Sequence, residues 1–275
     1  VSDAEAKTVR KRRSDPVTLV AVLLGARALW AIEAMVLADS SLFALGVEAV
    51  TAELAGGRLG VAWSDPHRPE PTTAQVVGRV VRGALFGLGL ASLVLCAGLA
   101  LQRATLTLSH ASVAALALGL VTVTLSAVRD ELLLRGAVLR LVGAGPSSAS
   151  GPPSTRKRVI GLAAVALVGA AHAYGEGGHV SAIAEGALLA TIFGSIWLKD
   201  RGAFRPVGAH IGWSFAAEAL TQGGLFDARS ALAAGALSPF EGPVALGALL
   251  VAAVVTVVVV LREPAASVPS LEGMH

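Results

Sequence analysis

Residues 105–136 read "TLTLSHASVAALALGLVTVTLSAVRDELLLRG". Apart from His110, nothing in 105–128 ionises; then Arg129, Asp130, Glu131 and Arg135 fall within seven positions. The first part is long enough to cross lipid, which takes about 20 apolar residues. Similar runs recur along the 275 residues, which are 54% hydrophobic and 15% charged with mean hydropathy +0.70. A soluble domain carries roughly 25% charged residues, and its helices are apolar on one side only. The sequence therefore predicts an all-α, polytopic transmembrane helical bundle of about eight spans with a polar site inside the membrane.

The spans are expected near 17–38, 80–101, 105–127, 159–175, 180–198, 205–222 and 243–261, with a shorter eighth helix at 129–144 carrying the charges. Residues 42–55, "LFALGVEAVTAELA", set Glu48 and Glu53 opposite an apolar face and read as an amphipathic helix lying along the interface. Residues 56–78 read as a polar loop, 144–158 as a flexible basic loop and 262–275 as a disordered tail. Five segments follow: a basic cytoplasmic tail, 1–16; N-terminal helices and polar loop, 17–104; a motif-bearing core, 105–222; a loop and last helix, 223–261; and the tail. No internal repeat is visible.

Charge sets the expected topology. Lys and Arg at 7–13 place the N-terminus in the cytoplasm by the positive-inside rule. With eight spans, the cluster Arg156, Lys157, Arg158, the cluster Lys199, Arg201, Arg205, and Arg262 fall on that side too. The same count leaves Arg58, Arg68, Arg79 and Arg82 outside, against the rule. The net charge of +3 reflects basic loops and not a nucleic-acid surface. The single cysteine, Cys96, rules out an internal disulfide and is expected to pack. Trp30, Trp63 and Trp197 read as interfacial or packing residues.

A charge inside lipid costs about 2.5–3.5 kcal/mol even on lenient scales, so such residues mark function by default. Glu131 and Arg135 are four apart and share a helix face, with Asp130 about 100° round. "LVGAAHAYGEGG" (167–178) puts His172 near the end of a span, and "GAHIGWSF" (208–215) puts His210 and Ser214 on one face. Acids, imidazoles, a hydroxyl and a cation are the parts that activate water and stabilise an oxyanion. His110 and His179 read as helix–helix hydrogen-bonding residues. Glu33, Glu185 and Glu218 lie in or near spans, with Arg27 a possible partner, and are assigned no chemistry.

The order of these elements resembles the CAAX-protease and bacteriocin-processing family of intramembrane proteases. That family carries Glu-Glu-x-x-x-Arg-Gly, then Phe-x-x-x-His, then His-x-x-x-Asn. Here the motifs read "DELLLRG" (130–136), "VGAAH" (168–172) and "HIGWS" (210–214). His172 follows Glu131 by 41 residues and His210 follows His172 by 38. The resemblance covers roughly 105–222. It implies that Asp130 and His172 activate water, that Glu131 and Arg135 hold the site together, and that His210 and position 214 stabilise the oxyanion. Three positions depart from the pattern: Asp130 for Glu, Ser214 for Asn and Val168 for Phe.

The resemblance implies an intramembrane endopeptidase acting from within the bilayer on a membrane-associated peptide or protein substrate, and the Ala/Gly-rich composition points to a bacterial inner membrane. The cofactor stays open: Glu131, His172 and His210 are the candidate ligands of a divalent metal such as zinc, or the carboxylate acts alone as base. A rival reading is a catalytically impaired member serving as membrane scaffold or bacteriocin-immunity protein. A third is a transporter with a proton path through Glu33, Glu185 and Glu218, against which the absence of a repeat argues.

Overall fold

The computed structural model describes residues 21, 24–26, 28–32, 35, 41–65, 69–145, 153–222, 224–231, 238–240 and 242–262. The basic N-terminal tail, Arg27, Glu33, Arg68 and the C-terminal tail lie outside the described residues, as does most of the first expected span. The described chain is a bundle of helices: α1 (Ser41–Leu59), α2 (Thr73–Ala100), α3 (Val113–Leu141), α4 (Thr155–Gly175), α5 (Val180–Asp200), α6 (Phe204–Ser214, continued by a π-helical turn Phe215–Leu220) and α7 (Pro243–Arg262). Five of them, α2, α3, α4, α5 and α7, are long and apolar enough to cross a membrane.

Local chemistry fixes several boundaries. Thr72 and Gln75 close a capping box at the start of α2, satisfying amides that the first turn leaves free. The Ser112 side chain accepts from the Ala115 amide at the start of α3. Residues 104–108, expected at the edge of a span, are instead a strand pairing antiparallel with 226–230, Ala104 opposite Ser230 and Leu108 opposite Phe226. The sequence "ATLTL" alternates with period two and carries β-branched threonines, so the strand reading suits it better. His110 is thereby exposed in the turn before α3, and His179 stands at the N-terminus of α5; neither occupies a helix interior.

The segments expected as separate helices at 105–127 and 129–144 are one helix. The α-helical part, Val113–Asp130, passes into a π-helical turn, Glu131–Ala137, and a final α-turn, Val138–Leu141. The charges at 129–135 mark a widened turn and not a break. Removing that crossing reverses the side of the described segment that runs from residue 58 to the start of α3. Residues 58–65 and the start of α2 now share an end with the other basic groups. Arg201 pairs with buried Asp65 at 3.0 Å, and Arg79 stands 3.8 Å from Asp200. Arg158 donates to the carbonyls of Val260 at 2.7 Å and Pro153 at 3.0 Å, so this member of the expected basic loop is buried and ties α4 to the end of α7.

On α1, Glu48 departs from the expected amphipathic pattern. Phe43, Val50 and Leu54 are exposed while Glu48 is 7% exposed. Ala52 packs with Leu133 and Leu134 of α3. Glu48 thus turns into the bundle, while Glu53 stays exposed and accepts from Trp63 Nε1 at 2.8 Å. Cys96 lies on the outside of α2 and does not pack in the core. Among the described helices, α2 and α6 meet backbone to backbone. A Cβ on Gly87 would stand 1.9 Å from the Ala209 carbonyl oxygen, and one on Gly212 2.0 Å from that of Ala84. Gly83 and Gly87 face Gly208 and Gly212, the small-xxx-small arrangement that lets helix backbones meet in lipid. That contact holds the backbone of His210 against the bundle centre.

Candidate active site

The π-helical turn begins at Glu131, the last of three consecutive charged residues within a span. Such turns change the angular spacing of side chains and recur at functional sites. Asp130 and Glu131 leave the helix in different directions and meet different partners.

Glu131 is fully buried. Its Oε1 accepts from Arg135 Nη1 one turn on and lies 3.1 Å from His210 Nδ1; its Oε2 accepts from Trp197 Nε1 at 2.7 Å. Both oxygens are thus engaged by donors from three elements. Phe193 supports the group from α5, with its ring stacked on His210 at 5.3 Å and the Arg135 guanidinium 5.2 Å from its centroid. Gly136 makes room for this arrangement, because a Cβ there would stand 3.0 Å from the Trp197 ring. A carboxylate only accepts, so His210 Nδ1 carries a hydrogen toward Glu131.

Asp130 is 7% exposed. Its Oδ1 accepts from Arg129 Nε at 2.7 Å, and its Oδ2 stands 4.0 Å from His172 Nε2. That second separation is too long for a direct hydrogen bond and suits one shared water. Arg129 also donates from Nη1 to Glu48 Oε2 at 2.6 Å and lies 4.8 Å from the centroid of Trp30.

A cavity of about 190 Å³ joins these groups, lined by Asp130, Arg135, His172, His210 and Ser214 among others, with Glu185 and Glu218 on its wall. It runs from mid-bundle toward the end opposite the basic cluster, since His172 is near the C-terminus of α4 and Glu185 near the N-terminus of α5. All six sequence-derived candidates, Asp130, Glu131, Arg135, His172, His210 and Ser214, therefore come together: five on the cavity wall and Glu131 immediately behind it.

The three candidate metal ligands fit an ion poorly. Glu131 pairs with both His210 and Arg135, while His172 faces Asp130. Both Glu131 oxygens already hold donors, one of them the Arg135 guanidinium, so an ion there would displace a hydrogen bond and stand beside a fixed cation. Among the described residues, no group of three His, Cys, Asp or Glu side chains is arranged to hold a metal ion.

Sequence reading missed four participants. Trp197, expected at an interface or in packing, is a buried hydrogen-bond donor to Glu131. Phe193, Arg129 and Glu48 were not singled out for the site. Glu48 did carry a usable signal, as a carboxylate among apolar residues that a lipid-embedded helix must turn inward. For Trp197 and Phe193 there was none, because their partners lie more than 15 residues away. No curated protein and no solved structure matches the chain. One family model does: residues 111–216 are similar to the family described as type II CAAX prenyl endopeptidase Rce1-like.

Proposed function

We propose that the protein is an intramembrane endopeptidase that hydrolyses a peptide bond in a membrane-associated peptide or protein. The observation that supports it best is the 4.0 Å gap between Asp130 Oδ2 and His172 Nε2 on the cavity wall. A water held there loses a proton to this pair as its oxygen bonds to the scissile carbonyl carbon. The carbonyl oxygen becomes an oxyanion beside Ser214 and His210. Ser214 donates through its hydroxyl. His210 already directs Nδ1–H at Glu131, so donation from Nε2 at the same time requires the doubly protonated ring. As the tetrahedral intermediate collapses, the proton passes to the leaving amine and the C–N bond breaks. Glu131, with both oxygens held by donors, orients His210 and Arg135. In this reading no metal takes part.

Asp130→Asn keeps the shape and removes the base. Cleavage of a membrane-anchored reporter peptide by the purified chain in proteoliposomes is expected to fall about 10²–10⁴-fold, the usual contribution of a positioned general base. Wild-type turnover in Asp130→Asn would overturn the assignment. The second reading, an inactive scaffold or immunity protein, is favoured by Asp130 and Ser214 themselves, since both depart from the family pattern. It predicts no cleavage by the folded wild type.

The basic end of the bundle faces the cytoplasm in this proposal, by the positive-inside rule, in a bacterial inner membrane. Cysteines placed at the exposed positions Glu70 and Arg156, in a Cys96→Ser background, should label from one side, and those at His110 and Glu176 from the other. Labelling of Glu70 and Arg156 from opposite sides would restore the extra crossing.

A further inference from the structure

We infer that Arg129 and Glu48 are positioning residues for Asp130, so that α1, outside the matched residues 111–216, is part of the catalytic apparatus. This rests on the proteolytic reading above. Neighbouring residues on a helix point about 100° apart, so helix geometry alone does not bring Arg129 to Asp130. The guanidinium folds back to place Nε on Asp130 Oδ1 at 2.7 Å while Nη1 reaches Glu48 Oε2 at 2.6 Å. A guanidinium is a rigid planar fork. Fixing one prong on α1 therefore fixes the plane from which the other addresses Asp130. Trp30 stands beside the guanidinium, 4.8 Å from ring centroid to Cζ. With Oδ1 held, Oδ2 is the oxygen left toward His172.

Neutralisation alone does not explain the arrangement. If Arg129 served only to balance buried Asp130, Glu48 would add a second buried anion, 7% exposed, and undo that balance. Glu48 makes sense as a fixed point for the fork. The need is specific to this chain, because Asp130 is one methylene shorter than the glutamate of the family pattern. A short carboxylate cannot adjust its reach, and an error of about 1 Å costs roughly 100-fold in rate.

The test compares kcat and KM on one membrane-anchored peptide for the full chain in proteoliposomes, with thermal unfolding measured alongside. Glu48→Gln should lower kcat about 10-fold, less than the loss for a full 1 Å misplacement, with KM within about twofold. Arg129→Lys keeps the charge but not the fork and should lose at least as much. The exchange Glu48→Arg with Arg129→Glu restores an ion pair between α1 and α3, so the melting temperature should recover. Turnover should stay about 100-fold down, because a carboxylate then faces Asp130. Turnover restored by the exchange would make the pair merely structural and overturn the inference, as would wild-type kcat in Glu48→Gln. If Glu48→Gln does not fold, Arg129→Lys decides, and wild-type kcat there overturns it. A folded wild type that cleaves nothing removes the proteolytic reading and this inference with it.

Discussion

Asp130 and Glu131 are adjacent in sequence and alike in chemistry, yet they sit in opposite situations. Glu131 has both oxygens taken by Arg135, His210 and Trp197 and no exposed surface. Asp130 has one oxygen held by Arg129 and the other directed across a gap to His172. A carboxylate with both oxygens held by donors is a structural anchor. One with an unanswered oxygen on a cavity wall is available to take a proton. The difference comes from one residue of helix rotation at the start of a π-helical turn, which sends the first acid toward α4 and the second toward α5 and α6.

The largest expected effect separates the two acids by what each loses. Glu131→Gln leaves the buried Arg135 cation without its counter-ion, and breaking a buried pair costs about 3–5 kcal/mol. Activity and thermal stability should fall together. Asp130→Asn should abolish nearly all turnover while its melting temperature stays close to wild type, because Arg129 keeps Glu48 as partner. Thermal unfolding in detergent read beside cleavage rate checks this. A stable Glu131→Gln, or an Asp130→Asn as unstable as it, would erase the distinction.

A smaller effect sharpens the anchor side. Trp197→Phe preserves the aromatic bulk and removes the indole N–H that satisfies Glu131 Oε2. An unsatisfied buried acceptor costs about 1–3 kcal/mol, so the melting temperature should drop with a lesser loss of turnover. If stability is unchanged, the Glu131 cluster does not depend on α5 in the way the geometry implies.

Much of this architecture was legible in the sequence, and the parts that were not share a cause. The lipid-crossing runs stood out because a membrane helix is apolar all round, and the motif residues because charge in such runs is rare. The continuity of α3 was hidden, since "RDE" at 129–131 looks like the end of a span; only neighbours able to satisfy the charges let the helix carry them onward. The inward turn of Glu48 on α1 was hidden by the habit of reading amphipathic helices as facing water. The contacts of Trp197 with Glu131 and of Glu48 with Arg129 span 66 and 81 residues, and no local periodicity encodes them. The basic region near residue 58 was the one clue to the misplaced crossing, because it violated the charge rule under the expected count.

The smallest expected effect lies on the open side of the comparison, at Ser214. It is one turn beyond His210 on α6, buried, and on the cavity wall. A well-aimed oxyanion donor contributes about 2.7–4 kcal/mol. A serine hydroxyl must give up rotation to aim and reaches less far than the amide of the family pattern, so its contribution should be lower. Ser214→Asn should raise turnover several-fold, a gain of about 1 kcal/mol at roughly 1.4 kcal/mol per factor of ten, and the cavity gives the larger side chain room. Ser214→Ala should lower turnover by a similar factor. Combining Ser214→Asn with Asp130→Glu should exceed the product of the single effects, because both side chains act on one tetrahedral intermediate and neighbours that share a partner do not add independently. The longer glutamate must still accept from Arg129, so the gain depends on the clamp from α1 tolerating it. Turnover in Ser214→Ala equal to wild type would remove position 214 from the oxyanion site and leave His210 as its donor.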